Sequence, residues 1–248
     1  MNILVCISNV PDTTSKIEFS NDSTTFITDG IQFIINPYDE FGLTKAIKLR
    51  EEHGGKVTVI HMGLSSSEPT LRKALAIGAD EAIRIDAEAK DSFSVAKELS
   101  IAIEKNQFDL IIMGRESIDY NNGAVPGMLS ELTNLPFVNA CTAFSYDGTK
   151  AKMEREIEGG KEFVNASLPL IIAGQKGLVE ESDLLIPNMR GIMTARTKPL
   201  TVLDNNDTNV MNSSLSFKKP TPKQACKMIE AGQEKELLTL LHQEAKVI

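Results

Sequence analysis

Residues 56–86, KVTVIHMGLSSSEPTLRKALAIGADEAIRID, place a helical stretch between two short apolar runs. The runs KVTVIHMG at 56–63 and EAIRID at 81–86 contain β-branched residues and are typical of buried strands. The segment between them begins with serines and a proline, as helices often do. Because parallel strands need crossover connections of this kind, the unit predicts a parallel sheet with helices on both faces.

The same alternation runs up to about residue 140. NILVCI at 2–7 and FDLIIMG at 108–114 predict further strands, and helices are predicted to begin near Asn36 and Asp91. Residues 17–35 predict a small excursion of short strands. Together these segments predict an α/β fold, mainly a parallel sheet flanked by helices.

The pattern changes after this point. Residues 142–174 predict consecutive strands with turns at Asp147-Gly148 and Gly159-Gly160, and we expect them to form antiparallel edge strands. From Gln175 onward no regular period is found until two short helices, which are predicted at 222–231 and 233–246.

Residues 174–222 carry apolar side chains that no predicted element buries. These side chains are Leu184, Leu185, Ile186, Met189, Ile192 and Met193. Because leaving them in water is costly, we expect a partner to hold this segment. The chain is therefore divided into an α/β domain, residues 1–173, and a partner-recognition loop with a C-terminal extended arm, residues 174–248.

Bulk properties narrow the function. The chain has 248 residues, 42% of them hydrophobic, and a net charge of −8, which argues against nucleic-acid binding. Cys6, Cys141 and Cys226 suggest neither a disulfide framework nor a zinc site, and we expect buried free thiols. The N-terminus lacks a basic n-region, and no run approaches the ~18 apolar residues of a membrane span. A soluble, cytoplasmic protein is expected, without membrane insertion.

Ligands of open α/β sheets bind at the carboxyl ends of the strands. The predicted strand ends carry Cys6 to Ser8, Met62, Gly63 and the range Gly114 to Val125, and Asn36 to Asp39 lie at a further loop-to-helix junction. Glycines in these ends allow the backbone to approach a ligand closely. A binding site is therefore predicted where these ends meet.

The loop GRESIDYNNGAVPGM, residues 114–128, is rich in Asp, Asn and Gly. A helix beginning near Ala124 would point unpaired N–H groups at an anion, and Asn121 and Asn122 would add donors. An ordinary turn followed by a helix cap explains the same composition, since Asn and Gly are favoured in turns. The residues alone leave both interpretations open.

No other group of residues points to catalysis. The chain has no GxxxxGK[ST] loop and no GxGxxG fingerprint. His53, His61 and His242 are scattered without metal-ligand spacing, and neither a GxSxG elbow nor an acid–base pair is found. An independent enzyme is therefore not supported.

Over most of its length the chain resembles the β (small) subunit of electron transfer flavoproteins. The matching blocks, in order, are NVPDTTSKI, INPYDEFGLTKAIKLRE, TLRKALAIGADEAIRI, FDLIIMGRESID, MEREIEGG, LPLIIAG and MRGIMTARTKPL. The resemblance implies an adenine-nucleotide alpha-hydrolase-like α/β fold. It also implies an electron-carrier subunit that has no catalytic activity of its own.

The resemblance further implies cofactors and partners. FAD lies mainly on the α subunit, and the small subunit holds AMP in ordinary members or a second FAD in electron-bifurcating members. Electrons arrive from acyl-CoA dehydrogenases or related flavoenzymes, and they leave towards a quinone oxidoreductase or another acceptor.

Carried over by position, and joined to the strand-end argument, the resemblance implies a set of nucleotide contacts. They are Cys6, Asn36, Pro37, Tyr38, Asp39, Met62, Gly63, Gly114, Arg115, Glu116, Ser117, Ile118, Asp119, Tyr120, Asn121, Asn122, Gly123, Ala124 and Val125. Tyr38 would lie near the α-subunit flavin, and Glu156 would lie at the subunit interface. Met189 would anchor the partner dehydrogenase, with Leu184 and Ile186 in the same loop.

Two departures from the family pattern leave details open. The family's phosphate loop commonly has a further acid and a Gln where this chain has Tyr120 to Ala124, so individual phosphate contacts stay open. The NEPR motif falls on Ser182 to Leu185 and is not kept, so partner specificity stays open.

Three hypotheses remain: a carrier subunit holding AMP, which we favour; a bifurcating subunit with a second FAD; and a stand-alone nucleotide-binding sensor resembling universal stress proteins. The apolar loop at 184–193 and the terminal helices argue against the sensor. An adenylating ligase would need an SGGxDS-type loop, which the sequence lacks.

Overall fold

The computed structural model describes residues 1–223 and 225–248. The strands are β1 Asn2–Cys6, β2 Asn9–Pro11, β3 Glu18–Phe19, β4 Phe26–Ile27, β5 Phe33–Ile35, β6 Lys56–Met62, β7 Glu81–Asp86, β8 Leu110–Gly114, β9 Phe137–Tyr146, β10 Ala151–Ile157, β11 Gly160–Ala166, β12 Leu170–Gly174 and β13 Leu200–Asp204. The helices are α1 Pro37–His53, α2 Glu68–Ile77, α3 Ser92–Glu104, α4 Val125–Thr133, α5 Met189–Ala195 and α6 Glu234–Gln243.

The main sheet has the order β11-β10-β9-β12-β8-β1-β6-β7-β13. From β9 to β13 in this order all neighbouring strands are parallel, and β10 and β11 add antiparallel at one end. The predicted α/β fold with a mainly parallel sheet and antiparallel edge strands is confirmed. The short strands between β1 and α1 pair in two small sheets, β2 with β5 and β3 with β4. Short strands were predicted in this part of the chain at 17–35.

The expectation that the whole of 142–174 adds antiparallel to an edge is wrong for β12. This strand lies inside the sheet, parallel to both β8 and β9. All five of its residues are buried. A strand that is apolar on both faces needs cover on both sides, and a central position provides that cover.

The segment after β12 contains two elements that the sequence did not predict. Asn188 caps α5 by accepting a hydrogen bond from the Gly191 N–H at 2.7 Å. β13 pairs with β7 and extends the sheet at the edge opposite β11. The division of the chain at residue 173 remains a prediction, and it coincides with the last strand of the sheet interior.

Near the C-terminus one predicted helix is present and the other is not. α6 confirms the helix predicted at 233–246. The helix predicted at 222–231 is wrong, because the described residues in this range have no regular structure. Most of them are exposed, and a short helix without a packed face is marginal in water.

The three cysteines also differ between the α/β domain and the C-terminal arm. Cys6 and Cys141 are buried free thiols, as expected, but Cys226 in the arm is exposed. The expectation of a buried thiol is therefore wrong at Cys226, because its part of the arm does not pack into the core.

The core has two layers, one on each face of the sheet. On β1, Ile3 and Val5 pack in a cluster with side chains of α1 and α2, while Leu4 and Cys6 pack with side chains of α3 and α4. This alternation explains why β8 and β12, which lie inside the sheet, are apolar at every position. Within the described part of the chain, no helix has the length and apolar character needed to span a bilayer.

Candidate functional site

The carboxyl ends of β1, β6 and β8 open into a cleft of about 180 Å³. Its other walls come from the loops that lead into α3 and α4. From β1 the chain proceeds to β6 on one side and later returns to β8 on the other. This reversal creates the switch point at which open α/β sheets bind ligands.

Most of the predicted nucleotide contacts meet in this cleft. Those that line it are Cys6, Asp39, Met62, Gly114, Glu116, Ser117, Asp119, Tyr120, Asn122, Gly123, Ala124 and Val125. They come from four separate parts of the chain. The predicted strand ends therefore meet at a concavity of the structure.

Five further predicted contacts do not line the cleft but lie next to residues that do: Asn36, Pro37, Gly63, Ile118 and Asn121. Asn36 is fully buried, its Nδ2 donates to the Glu116 carbonyl at 2.9 Å, and its Oδ1 accepts from the Ile118 N–H at 3.1 Å. Asn121 donates to the Ile118 carbonyl at 3.1 Å. Pro37 begins α1, and the Gly63 N–H donates to the Ile85 carbonyl at 3.0 Å.

Asp39 joins the two central strand ends. Its carboxylate accepts hydrogen bonds of 2.7 Å from the N–H groups of Ser8, after β1, and of Gly114, at the end of β8. Burial raises the pKa of Asp39 to about 7, and the two backbone hydrogen bonds oppose that rise. A Cβ added to Gly114 would collide with the Asp39 carboxylate, which explains the glycine at this position.

The phosphate-loop candidate ends in a helix whose N-terminus no side chain caps. Ala124 occupies the N-cap position of α4 without a side-chain hydrogen bond. Asn121 and Gly123 have positive φ angles of 51° and 57°, which turn the loop over the cleft. An uncapped helix start presents its first-turn N–H groups to an anion.

One wall of the cleft, the loop between β7 and α3, was not predicted from the sequence. Its lining residues are Ala89, Lys90, Asp91 and Ser92, and Asn122 donates to the Ser92 hydroxyl at 2.8 Å across the cleft. Applying the strand-end rule to the predicted strand 81–86 would have found this loop.

Ser8 was predicted as part of a strand end, and His61 lies at the end of a predicted strand, but neither was included among the predicted contacts; Asn9 was not predicted. His61 Nδ1 lies 2.9 Å from the Ile7 carbonyl, and burial lowers the pKa of this histidine. His61 is therefore neutral at pH 7 and donates through Nδ1.

A second cluster lies behind the loop. Arg115 donates to Gln175 Oε1 at 3.1 Å, and its guanidinium carbon stands 5.8 Å from the centre of the Tyr38 ring. Gln175, itself buried, donates to the Glu156 carboxylate. The structure thus brings the two predicted interface residues, Tyr38 and Glu156, into one hydrogen-bonded and stacked group, separate from the cleft.

The predicted recognition loop divides into buried and exposed parts. Ile186 and Met189 are 79% and 76% exposed, and Met193 of the same helix is 69% exposed. Leu184 instead packs against the core. The exposed side chains form an apolar surface around α5.

Comparison with known proteins adds a family to this geometry. A family model described as the electron transfer flavoprotein domain matches residues 23–208. The chain belongs to the electron transfer flavoprotein family. It is 36% identical to the electron transfer flavoprotein subunit beta of Bacillus subtilis, over the whole of both chains.

Two further relatives match a smaller part of this chain, and one of them also has a lower identity. The electron transfer flavoprotein subunit beta of Homo sapiens is 31% identical over 87% of this chain and 86% of its own. Protein FixA of Sinorhizobium fredii is 36% identical over 71% of this chain and 66% of its own. The resemblance to β subunits noted in the sequence is confirmed, and membership implies an electron-transfer role with an α-subunit partner.

Proposed function

We propose that this chain is the small subunit of a heterodimeric electron transfer flavoprotein that binds AMP structurally in the cleft and completes the FAD site of the α subunit. Electrons would arrive from acyl-CoA dehydrogenases or similar flavoenzymes and leave towards a quinone oxidoreductase. The observation that carries the AMP assignment is the difference in polarity between the inner and the outer end of the cleft. The cytoplasmic location remains a prediction.

One end of the cleft is apolar and the other is polar. Apolar side chains from β6, α3 and β8 line the inner end, and they are Ile60, Met62, Val95, Leu99 and Met113. The outer end has the uncapped start of α4, Asn122 and Lys90. An adenine ring suits the first environment, and a phosphate suits the second.

The charges of the cleft favour one phosphate over two. Among the described lining residues Lys90 is the only charged basic side chain, whereas Asp39, Asp91, Glu116 and Asp119 are acidic. A single lysine can pair with one phosphate group, and the second phosphate of a pyrophosphate would lie among carboxylates without a basic partner. This balance supports AMP over a second FAD.

The decisive experiment is to count the cofactors released by denaturing the co-purified αβ complex. We expect one FAD and one AMP per heterodimer. Two FAD molecules and no AMP would contradict the proposal and move the protein to the bifurcating class. A complex without any second nucleotide would contradict both assignments.

The variant Lys90→Gln tests whether the AMP lies in this cleft. We expect its AMP affinity to fall about tenfold, because it loses one charge-assisted contact to the phosphate. Lys105→Gln removes the same charge from the opposite end of α3 and serves as the matched control.

The flavin of the α subunit would approach the second cluster. Tyr38 offers an aromatic ring, and the Arg115 guanidinium, ion-paired with Glu116 at 2.8 Å, lies beside it. Both lie next to the loop that forms the cleft, so the proposed AMP would stabilise the surface that the flavin domain meets.

The exposed apolar surface around α5 would receive the dehydrogenase. We expect Met189→Ala to slow reduction by the dehydrogenase at least about tenfold, since truncating a central anchor residue removes most of its contact energy. The thioether of Met189 suits pockets of differing shape. Stopped-flow reduction of the αβ complex measures the rate, and the FAD content should stay unchanged.

Met228→Ala is the control for this prediction, because Met228 is 84% exposed but lies in the arm. Its complex should be reduced at the wild-type rate. Loss of FAD from the Met189→Ala complex, or an unchanged reduction rate, would contradict the anchor assignment.

A further inference from the structure

The loop between β7 and α3 is the least supported wall of the cleft. Residues 88–90 are exposed and have no regular structure. Towards the cleft, Asn122 holds this wall through its hydrogen bond to Ser92. Contacts from outside the cleft would therefore add to the support of this loop.

The structure provides this support through residues 205–219 of the arm, which we call the strap. The strap is first fixed to α3 by Glu98, which is 2% exposed. The Glu98 carboxylate accepts from the Asn206 N–H at 3.0 Å, from the Asn206 side chain at 2.9 Å and from the Thr208 hydroxyl. A buried carboxylate with this many donors is a strong attachment.

The second attachment is at the cleft itself. One oxygen of Asp91 accepts from the Ser94 N–H at 2.8 Å and caps α3. The other oxygen accepts from the N–H groups of Met211 and Asn212 at 2.7 and 2.9 Å. Because Asp91 also lines the cleft, the strap is bonded directly to the cleft wall.

The third attachment is on the far side, at the β3–β4 hairpin. The Phe217 N–H donates to the Ser23 carbonyl at 2.8 Å, and the Phe217 ring stacks on Phe19 with 4.9 Å between the ring centres. Lys219 forms an ion pair with Glu18. The strap therefore connects α3, the cleft wall and the hairpin.

We propose that the strap retains the nucleotide by holding the β7–α3 loop closed, so that release requires the strap to detach from Asp91. The inference rests on the proposed AMP site and adds the means by which that site controls exchange.

The test is the rate at which the αβ complex releases radiolabelled AMP into an excess of unlabelled AMP. Asp91→Ser retains a good helix cap but lacks the second oxygen that holds Met211 and Asn212. We expect release to accelerate about tenfold, the effect of losing hydrogen bonds to a charged group. Asp207→Asn, an exposed change within the strap that touches neither α3 nor the hairpin, should release AMP at the wild-type rate.

Phe217→Ala separates the strap from direct contacts in the cleft, because Phe217 does not line it. Faster release from this variant, with an unchanged melting temperature, supports the strap. Wild-type release from Phe217→Ala, or from Asp91→Ser, overturns it. If the wild-type complex contains no AMP, the proposed function fails instead, and the two failures are distinguished by the cofactor count.

Discussion

Replacing Asp39 by Ala is expected to lower the melting temperature of the αβ complex by about 10 °C. The change removes the acceptor of two short hydrogen bonds and leaves the Ser8 and Gly114 N–H groups without partners. An unsatisfied buried donor costs roughly 1–3 kcal/mol. For a chain of this size each kcal/mol corresponds to about 2–4 °C.

The loss should also reach the ligand site, because both donors lie at strand ends that form the cleft. We expect AMP content to fall together with the melting temperature. Glu51→Ala removes an exposed acid from the same helix and is the matched control. An Asp39→Ala complex that melts and binds AMP like the wild type would show that the strand ends do not need this carboxylate.

Asp39 should also make the stability of the complex decrease as pH rises. Burial raises the pKa of Asp39 from 3.8 to about 7, so the folded chain holds a proton that the unfolded chain has released between these values. The contribution of Asp39 to stability is therefore fully present below about pH 4 and declines as pH rises to about 7. Asp39→Asn, which cannot titrate, should lose this part of the pH dependence in melting experiments.

Strands and helices could be predicted from the sequence where their apolar residues repeat with the period of that element. The strand 81–86 and the helix after Pro37 were predicted within a residue or two, since their apolar patterns and end signals are local. β12 was predicted as a strand but placed at an edge. Its order in the sheet is decided by burial on both faces, which a linear pattern of five apolar residues does not specify.

The site was predictable only in part for a related reason. Strand ends can be located from the sequence, so Cys6, Met62 and Gly114 were found. Asp39 was included in the list, but its role was not, because it depends on contacts 31 and 75 residues away along the chain. The strap is equally non-local, since its attachments to Asp91 and Glu98 cross more than a hundred residues of sequence.

The sequence around α5 showed apolar residues that no predicted element buries, but it did not predict the helix or its position in the fold. The structure seats it on the C-terminal end of α2. Arg72 donates to the carbonyls of Ala195 and Lys198, each at 2.8 Å, and Lys198 donates to the Leu75 and Ala79 carbonyls at 2.9 and 2.6 Å. These contacts fix the base of the helix while its apolar side chains stay exposed.

Gly191 allows α5 to pack this closely against α2. We expect Gly191→Val to have the largest effect on partner recognition. A Cβ at this position would collide with the Ala76 carbonyl oxygen, which is backbone and cannot rotate away. Helix α5 must therefore shift, and Met189, Ile192 and Met193 move with it. Because several contact residues are displaced together, we expect reduction by the dehydrogenase to slow about a hundredfold, more than in Met189→Ala.

Stopped-flow reduction and a cofactor count on the same Gly191→Val complex separate this effect from a general loss of structure. AMP and FAD contents should equal those of the wild type, since the cleft and the Tyr38 cluster lie at other elements. Gly160→Val is the matched control, because a Cβ there meets open space. A Gly191→Val complex reduced at the wild-type rate would mean that recognition does not depend on the position of α5, and the docking surface would then have to lie elsewhere on the chain.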